Sequence, residues 1–218
     1  ALSGLGADEC FGGYPSFSDV PRSVHWLRPL HFVPGVGALA RRLMSAAIKA
    51  GVRLHPKAAG VLQYGGDWAG AYMLRRGVYM PWELTDLLDE DLLGEGLRRL
   101  APLSHIAAEL GAGRPLGDFD RVAALETSLY MRNQLLRDAD WAGMAHSVEI
   151  RPPFVDVQLF RGVAQLMSGG RPPLKTDAAR LLSPKVPDEL ITRGKTGFTV
   201  PVAVTVATTA PRSTSAVL

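Results

Sequence analysis

The chain has 218 residues, 47% hydrophobic and 21% charged, with a formal net charge of +3. These values are typical of an ordinary globular protein, and the small, scattered charge argues against a nucleic-acid partner. No apolar stretch approaches the about 20 residues that a bilayer span needs. A single cysteine, Cys10, excludes an internal disulfide framework and fits a reducing, cytoplasmic compartment. We expect Cys10 to be a small buried apolar residue, and the five scattered histidines predict neither zinc nor iron.

The chain opens with a glycine-rich loop, whose first fourteen residues are ALSGLGADECFGGY. Gly4 and Gly6 permit positive φ angles and a close approach of backbone to a ligand. Backbone N–H groups in such a turn can face phosphate oxygens. Asp8 and Glu9 add carboxylate oxygens of the kind that hold Mg²⁺ beside phosphates. The loop therefore predicts nucleotide contacts next to a metal ligand. Because such a loop normally follows a strand, we expect the chain to begin inside a domain.

The rest of the chain is predicted to be predominantly α-helical with few strands. Prolines across residues 15–34 predict irregular structure with short helical turns. Apolar residues at helical spacing predict helices at 35–50, 60–77, 83–100, 102–110, 119–139, 157–167 and 177–182. Asp118 is expected to be an N-cap, and Gly51 to follow a helix end. The tail at 202–218 lacks a helical period and is expected to be irregular, poorly ordered or a short edge strand.

A polar segment at 138–156 mixes acids, an arginine and a histidine with apolar residues. We expect this segment to be largely buried. Because buried charges need partners, Glu149, Arg151 and Asp156 should form a polar network. A structural salt-bridge cluster is favoured over a ligand site, and both interpretations stay open.

A second polar segment, at 193–201, carries Lys195 between Gly194 and Gly197. A lysine on such an exposed turn can reach a phosphate as a point charge. From these residues alone, a solvated turn lysine is the favoured alternative. The glycine spacing of a P-loop is absent before this lysine.

Together the three segments resemble the C-terminal part of the synthetase domain of glutamine-dependent asparagine synthetases. Residues 3–14 are similar to the family pattern S-G-x-G-x-D-E-x-F-G-G-Y, residues 144–156 to M-A-x-S-x-E-x-R-x-P-F-x-D, and residues 193–198 to R-x-K-x-G-F. All three lie in the family's order along the chain. The resemblance covers about residues 1–201, expected to be an N-terminally truncated synthetase domain.

The resemblance implies an α/β fold of the ATP pyrophosphatase-like type, with helices packed around a parallel sheet. It also implies that aspartate attacks the α-phosphorus of ATP to give β-aspartyl-AMP and pyrophosphate, and that glutamine-derived ammonia then displaces AMP. The site residues it implies are Ser3, Gly4 and Lys195 for ATP, with Lys195 catalytic, Asp8 for Mg²⁺ and Glu9 for the amino-acid substrate. Aspartate and ATP are the implied partners, and a homodimer is compatible with the resemblance.

Two departures from the family pattern bear on activity. Leu5 stands where many members carry a glutamate linked to proton removal, and leucine cannot accept a proton. Neither the glutaminase domain nor the S-G-G-x-D-S pyrophosphate loop lies within these residues, so we expect the chain alone to be inactive. Two alternatives stay open. One is a related amide- or lactam-forming enzyme that adenylates another carboxylate, and the other is a non-catalytic derivative of the fold.

Overall fold

A computed structural model describes residues 1–113, 117–167, 174–181 and 186–194. The chain divides into two compact units, residues 1–178 and residues 179–218. Lys195 and the tail at 202–218 lie outside the described residues, so the predictions that concern them remain predictions.

The described residues are mostly helical, as the sequence predicts. The α-helices are α1 (Ala7–Cys10), α2 (Ser16–His31), α3 (Val36–Lys49), α4 (Val61–Tyr64), α5 (Trp68–Arg76), α6 (Glu90–Leu100), α7 (Pro102–Gly113), α8 (Asp118–Leu125), α9 (Leu136–Met144), α10 (Val157–Met167), α11 (Lys175–Arg180) and α12 (Asp188–Ile191). A π-helical segment, Glu126–Leu135, joins α8 to α9, and 3₁₀ turns lie at Pro56–Gly60, Leu84–Asp86 and Pro153–Val155. Within the described ranges, β pairing is confined to one isolated parallel bridge between Leu2 and Arg151. The parallel sheet that the resemblance implies therefore remains a prediction.

The prediction of irregular structure over residues 15–34 is wrong for most of that stretch. Residues 16–31 form the 16-residue helix α2, with Pro21 and Pro29 inside it. A proline in a helix interior removes one backbone hydrogen bond. The helix persists because Val20 and Val24 are buried against neighbouring helices, and packing of an apolar face contributes more to helix stability than propensity does.

The core of the first unit lies where α2, α5, α7 and α8 pack together. Its fully buried members are Val20, Val24, Ala71, Tyr72, Val122 and Leu125. The Tyr72 hydroxyl on α5 donates a hydrogen bond to the carbonyl oxygen of Leu125 on α8 at 3.2 Å. The predicted N-cap of α8 is wrong by one residue. Gly117 is the N-cap, and Asp118 is the first residue of the helix.

In the described part of the chain, each helix is too short or too polar to cross a lipid bilayer.

Candidate functional site

The first residues of the chain pair with the 149–151 segment and fix the start of the glycine-rich loop. The Ser3 N–H donates to the Arg151 carbonyl oxygen at 3.0 Å, and the Arg151 N–H donates to the Ala1 carbonyl oxygen at 2.8 Å. These bonds form the parallel bridge between Leu2 and Arg151. Two of the three sequence segments that carry the resemblance are thus neighbours in space.

Gly4 and Gly6 differ in why the loop has a glycine at each position. Gly6 has φ +91°, and a Cβ on it would lie 3.0 Å from both the carbonyl carbon and the oxygen of Phe154. A side chain there would be strained and crowded, so the turn requires glycine. Gly4 lacks a positive φ, and a Cβ on it would meet no heavy atom within 4 Å. The backbone at Gly4 is therefore exposed to open space, while Ser3 turns its Oγ toward the Leu5 N–H at 3.4 Å.

Asp8 lies in the first turn of α1, and its side chain is 28% exposed. It is held from two sides. A Cβ on Gly13 would lie 1.8 Å from Asp8 Oδ1, so only glycine allows the carboxylate to occupy this position. On the other side, Lys175 Nζ at the start of α11 lies 3.2 Å from Asp8 Oδ1. The predicted metal ligand is thus an accessible carboxylate with an ammonium partner.

Glu9 faces the interior, in contrast to its neighbour. It is 1% exposed, and its Oε1 accepts a hydrogen bond from the Tyr14 hydroxyl at 3.1 Å. Among the described residues, its Oε2 finds no hydrogen-bond partner. Burial raises the pKa of Glu9 above its ordinary value, and the Tyr14 hydrogen bond offsets only part of that shift. The role of Glu9 toward an amino-acid substrate remains a prediction, since in this structure the contact of its carboxylate is Tyr14.

An ion pair behind the loop, between the fully buried Glu126 and Arg76, whose side chain is 24% exposed, holds Tyr14 in place. Glu126 is fully buried and accepts hydrogen bonds from Arg76 at 2.7 Å (Nη2 to Oε2) and from the Ser16 hydroxyl. The Arg76 guanidinium lies 3.6 Å from the ring centre of Tyr130 and 4.7 Å from that of Tyr14. Because Tyr14 in turn donates to Glu9, the network connects the helical core to α1.

This network was missed by the sequence analysis, although the sequence carries a signal for it. Val122, Leu125 and Leu129 define the apolar stripe of the helix, and Glu126 lies four residues after Val122, on that stripe. A carboxylate in a core position requires a partner. An acid at such a position therefore predicts a buried cation from another helix.

The polar segment at 138–156 departs from expectation. Glu149 and Arg151 side chains are 70% and 73% exposed and pair with each other at 3.0 Å, so the expected burial is wrong. The hydrogen bond from Arg151 lowers the pKa of Glu149. Asp156 does not join them, because its Oδ1 accepts from the N–H of Gln158 at the start of α10. The reason is alternation along an extended segment: Ile150 packs at Gly143, and the residues on either side point outward.

Lys175 was also missed. Lys175 begins α11, where its positive charge interacts unfavourably with the helix dipole, so its presence there is not explained by helix stability. Its contact with Asp8 bridges 167 positions along the chain, and no local pattern indicates it. Lys195 lies outside the described residues, and its predicted catalytic role is untested.

Cys10 is confirmed as a buried residue. It is 2% exposed, and burial, with a contribution from the Glu9 charge, raises the pKa of its thiol to about 11. Within the described ranges, no group of three or more His, Cys, Asp and Glu side chains could hold a metal ion.

Comparison with known proteins identifies the family. The asparagine synthase family model matches residues 1–214. The chain is 30% identical over 215 residues to proteins of Mycobacterium bovis and Mycobacterium tuberculosis named putative asparagine synthetase (glutamine-hydrolyzing), which covers 92% of the chain and 29% of each relative. It is 26% identical over 219 residues to asparagine synthetase (glutamine-hydrolyzing) 1 of Bacillus subtilis, which covers 93% of the chain and 30% of that protein.

The chain thus spans less than a third of the length of these relatives. No solved structure gives a significant match. The family model matches nearly the whole chain, which includes the loop around Gly6 and Asp8. The chain belongs to the asparagine synthase family.

Proposed function

We propose that the chain forms part of the ATP site of an enzyme that makes asparagine from aspartate. The observation that carries the proposal is the open backbone at Gly4 within the same short loop as Asp8, whose carboxylate has Lys175 Nζ at 3.2 Å. This arrangement offers uncovered backbone, an oxygen ligand and a cation, which are groups that a polyphosphate can contact.

The residues of the loop have separate tasks in this proposal. Gly4 leaves its backbone uncovered, so a phosphate can approach without meeting a side chain. Ser3 Oγ already accepts from the Leu5 N–H, which leaves its hydroxyl hydrogen available to a nucleotide oxygen. Lys175 supplies positive charge beside the acid, where an anionic nucleotide would otherwise be repelled by Asp8.

Asp8 fits the Mg²⁺ that the family implies. Mg²⁺ bound with nucleotides takes one or two protein carboxylates and completes its shell with phosphates and waters. A single partly exposed carboxylate matches that donor set. When bound, the ion would neutralise charge that develops on the pyrophosphate. The chain's own contribution is the position of Asp8, set by Gly13 and Lys175.

The proposed reaction has two steps. A carboxylate oxygen of aspartate attacks the α-phosphorus of ATP, the bond to the bridging oxygen breaks, and pyrophosphate leaves with both electrons of that bond. Ammonia, derived from glutamine, then attacks the acyl carbon of β-aspartyl-AMP, loses a proton and expels AMP. In-line attack at phosphorus depends mainly on positioned positive charge. We assign that task to Lys195 and Lys175, and the orientation of aspartate to Glu9.

Leu5 favours a second candidate. Its side chain cannot remove a proton, so the amide-forming step needs water or another base. A relative that adenylates another carboxylate, with a different amine acceptor, would use the same ATP site. The two candidates share the first step and differ in the acid that they activate.

ATP–pyrophosphate exchange tests the proposal, with the protein expressed from its complete open reading frame. We expect exchange that depends on aspartate and Mg²⁺. Asp8→Asn should lower the exchange rate by about 100-fold or more, because removing one preorganised electrostatic group costs a factor of this size. Lys175→Met should lower it at least about 10-fold by loss of a charge-assisted contact.

Two matched variants serve as controls. Glu95→Gln removes an acid that has two arginine partners on α6, and Lys57→Met removes a partly buried lysine distant in sequence from the loop. Both should leave exchange unchanged. Exchange with another carboxylate but not aspartate would favour the second candidate, and absence of exchange with every carboxylate would refute both.

A further inference from the structure

The solvent-exposed side of helix α3 is mostly apolar. The opposite side of the helix packs on α4, where a Cβ on Gly37 would lie 2.6 Å from Gln63 Cα and Arg41 Nε donates to Gln63 Oε1 at 2.6 Å. At about 100° per residue, the exposed residues of α3 fall within one arc of about 140°. These residues, which we call the α3 face, are Val36, Leu39, Arg42, Leu43, Ala46 and Lys49.

Exposed apolar residues also flank α3 at both of its ends. Phe32 and Val33 precede the helix, and Val52 and Leu54 follow it. Single exposed apolar residues are ordinary in soluble proteins, but a row of them along a whole helix marks an interaction surface. The α3 face is therefore a candidate docking surface, and its charge indicates for what.

The α3 face belongs to a part of the chain that has no acid. Residues 20–66 contain seven lysines and arginines and three histidines, but neither Asp nor Glu. Four exposed arginines in this stretch make no ion pair or side-chain hydrogen bond with the described residues, namely Arg22, Arg28, Arg42 and Arg53. The small net charge of the whole chain does not reflect this local excess of positive charge, which complements a negative surface.

Helix α6 differs from α3 in charge and not in its exposed leucines. Leu92 and Leu100 on α6 are 62% and 63% exposed, and Leu39 and Leu43 on α3 are 59% and 63% exposed. However, α6 and its N-cap carry four acids against two arginines, and both arginines pair with Glu95. Of these two helices, α3 is the one that complements a negatively charged surface.

The combination of apolar and cationic side chains identifies the occupant. A nucleic acid would contact the arginines through its phosphates, which would leave Leu39 and Leu43 without apolar contacts. A bilayer with anionic headgroups attracts arginines, and its acyl region accepts aliphatic and aromatic side chains. Both parts of the α3 face then find partners.

We propose that the α3 face binds to the surface of an anionic lipid bilayer. The helix lies in the plane of the interface, with Val36, Leu39 and Leu43 at the boundary between headgroups and acyl chains. Arg42 lies at the edge of the apolar arc, where its guanidinium reaches lipid phosphates. Binding of this kind requires no helix that crosses the bilayer.

Co-sedimentation with vesicles tests the proposal, with the protein expressed from its complete open reading frame. We expect binding to vesicles of about 70% phosphatidylcholine and about 30% phosphatidylglycerol, and at least about 10-fold weaker binding to phosphatidylcholine alone. Salt at about 0.5 M should also weaken binding, because it screens the charges. Leu39→Gln/Leu43→Gln should weaken binding at least about 10-fold by loss of apolar burial. Arg42→Gln should weaken it about 5-fold, as expected for one basic residue at an anionic surface.

Matched variants separate these effects from general loss of structure. Leu92→Gln/Leu100→Gln makes the same substitutions at equally exposed leucines, and Arg137→Gln removes an exposed arginine of α9. Both should bind the mixed vesicles like the parent, and far-UV circular dichroism checks that each variant is folded.

Three results would overturn the proposal. The first is absence of parent binding to the mixed vesicles, which would mean that another part of the protein or a protein partner covers the α3 face. The second is binding that Leu39→Gln/Leu43→Gln leaves unchanged, which would assign it to charge alone or to another surface. The third is a dimer, seen by sedimentation velocity without vesicles, that the same double variant abolishes, because a second copy would then occupy the face.

Discussion

The ion pair between Arg76 and the buried Glu126 allows a quantitative test of how the core supports the loop. Glu126 is fully buried, and its carboxylate accepts hydrogen bonds from Arg76, from the Ser16 hydroxyl and, at 3.4 Å, from the Tyr72 hydroxyl. Arg76→Met keeps most of the side-chain volume and removes the charge. Removing one member of a buried pair leaves the other charge uncompensated, which costs about 3–5 kcal/mol. The same change removes the contacts of the guanidinium with Tyr14 and Tyr130, each of which contributes about 0.5–1 kcal/mol or more.

The double variant Arg76→Met/Glu126→Leu should be less destabilised than Arg76→Met alone. Both charges are then gone, and the remaining costs are the lost guanidinium contacts with Tyr14 and Tyr130 and the buried Ser16 hydroxyl without its acceptor, the latter about 1–3 kcal/mol. Because a domain of this kind has a free energy of unfolding of about 5–15 kcal/mol, the single variant should be marginally folded. Urea-induced unfolding, followed by far-UV circular dichroism at pH 7, measures both values.

Arg121→Met is the matched control for this comparison. Arg121 also lies over an aromatic ring, with its guanidinium 5.0 Å from the Trp68 ring centre, but its acidic partner Asp118 is 41% exposed. An exposed pair contributes about 0–1 kcal/mol, so this change should be mild. A cost below about 1 kcal/mol for Arg76→Met, or a double variant as unstable as the sum of its single changes, would refute the reasoning.

Three further predictions concern the loop and helix α1. Gly13→Ala should destabilise the chain by about 1–3 kcal/mol in a thermal melt, because a Cβ there would lie 1.8 Å from Asp8 Oδ1, whereas Gly4→Ala, which meets open space, should be close to neutral. Since the pKa of Glu9 is raised in the folded chain, the folded state holds this proton to higher pH than the unfolded state. The contribution of Glu9 to the free energy of unfolding therefore falls as pH rises above about 4.5. The free energy of unfolding of Glu9→Gln should exceed that of the parent by more at pH 8 than at pH 4, and an equal difference at both pH values would contradict the raised pKa of Glu9. Cys10, buried and with a thiol pKa of about 11, should react with a disulfide reagent at pH 8 only after unfolding.

Local sequence rules predicted what depends on local contacts. The helix at Val36–Lys49 follows from its apolar spacing, and Gly51, at φ +100°, stands just past its end as expected. Gly6 adopts the positive φ that its position in the loop indicates. The burial of Cys10 follows from the apolar character of a free cysteine side chain. Each of these features is fixed by a few residues that are close together in the chain.

The sequence predictions are wrong where contacts between distant parts of the chain determine the structure. Prolines predicted a break over residues 15–34, but the burial of Val20 and Val24 against other helices outweighs the lost backbone hydrogen bonds of α2. Glu149 and Arg151 were expected inside, yet the pairing of this segment with residues 1–3 uses only its backbone and leaves both side chains in solvent. The alternation of apolar and polar residues from Val148 to Arg151 carries part of that information, but the backbone pairing itself depends on residues 1–3, which are distant in the sequence.

The position of Asp8 shows how separate stretches cooperate at one atom. Gly13 limits Oδ1 from one side, Lys175 attracts it from another, and Gly6 allows α1 to start against Phe154. The Arg76–Glu126 pair acts one step further back, because Arg76 packs on Tyr14 and the Tyr14 hydroxyl holds the neighbouring Glu9. A carboxylate positioned only by exposed contacts would move within its rotamers, and preorganisation would be lost. The buried network therefore explains why a four-residue helix, too short to be stable alone, can hold an acid in a fixed place.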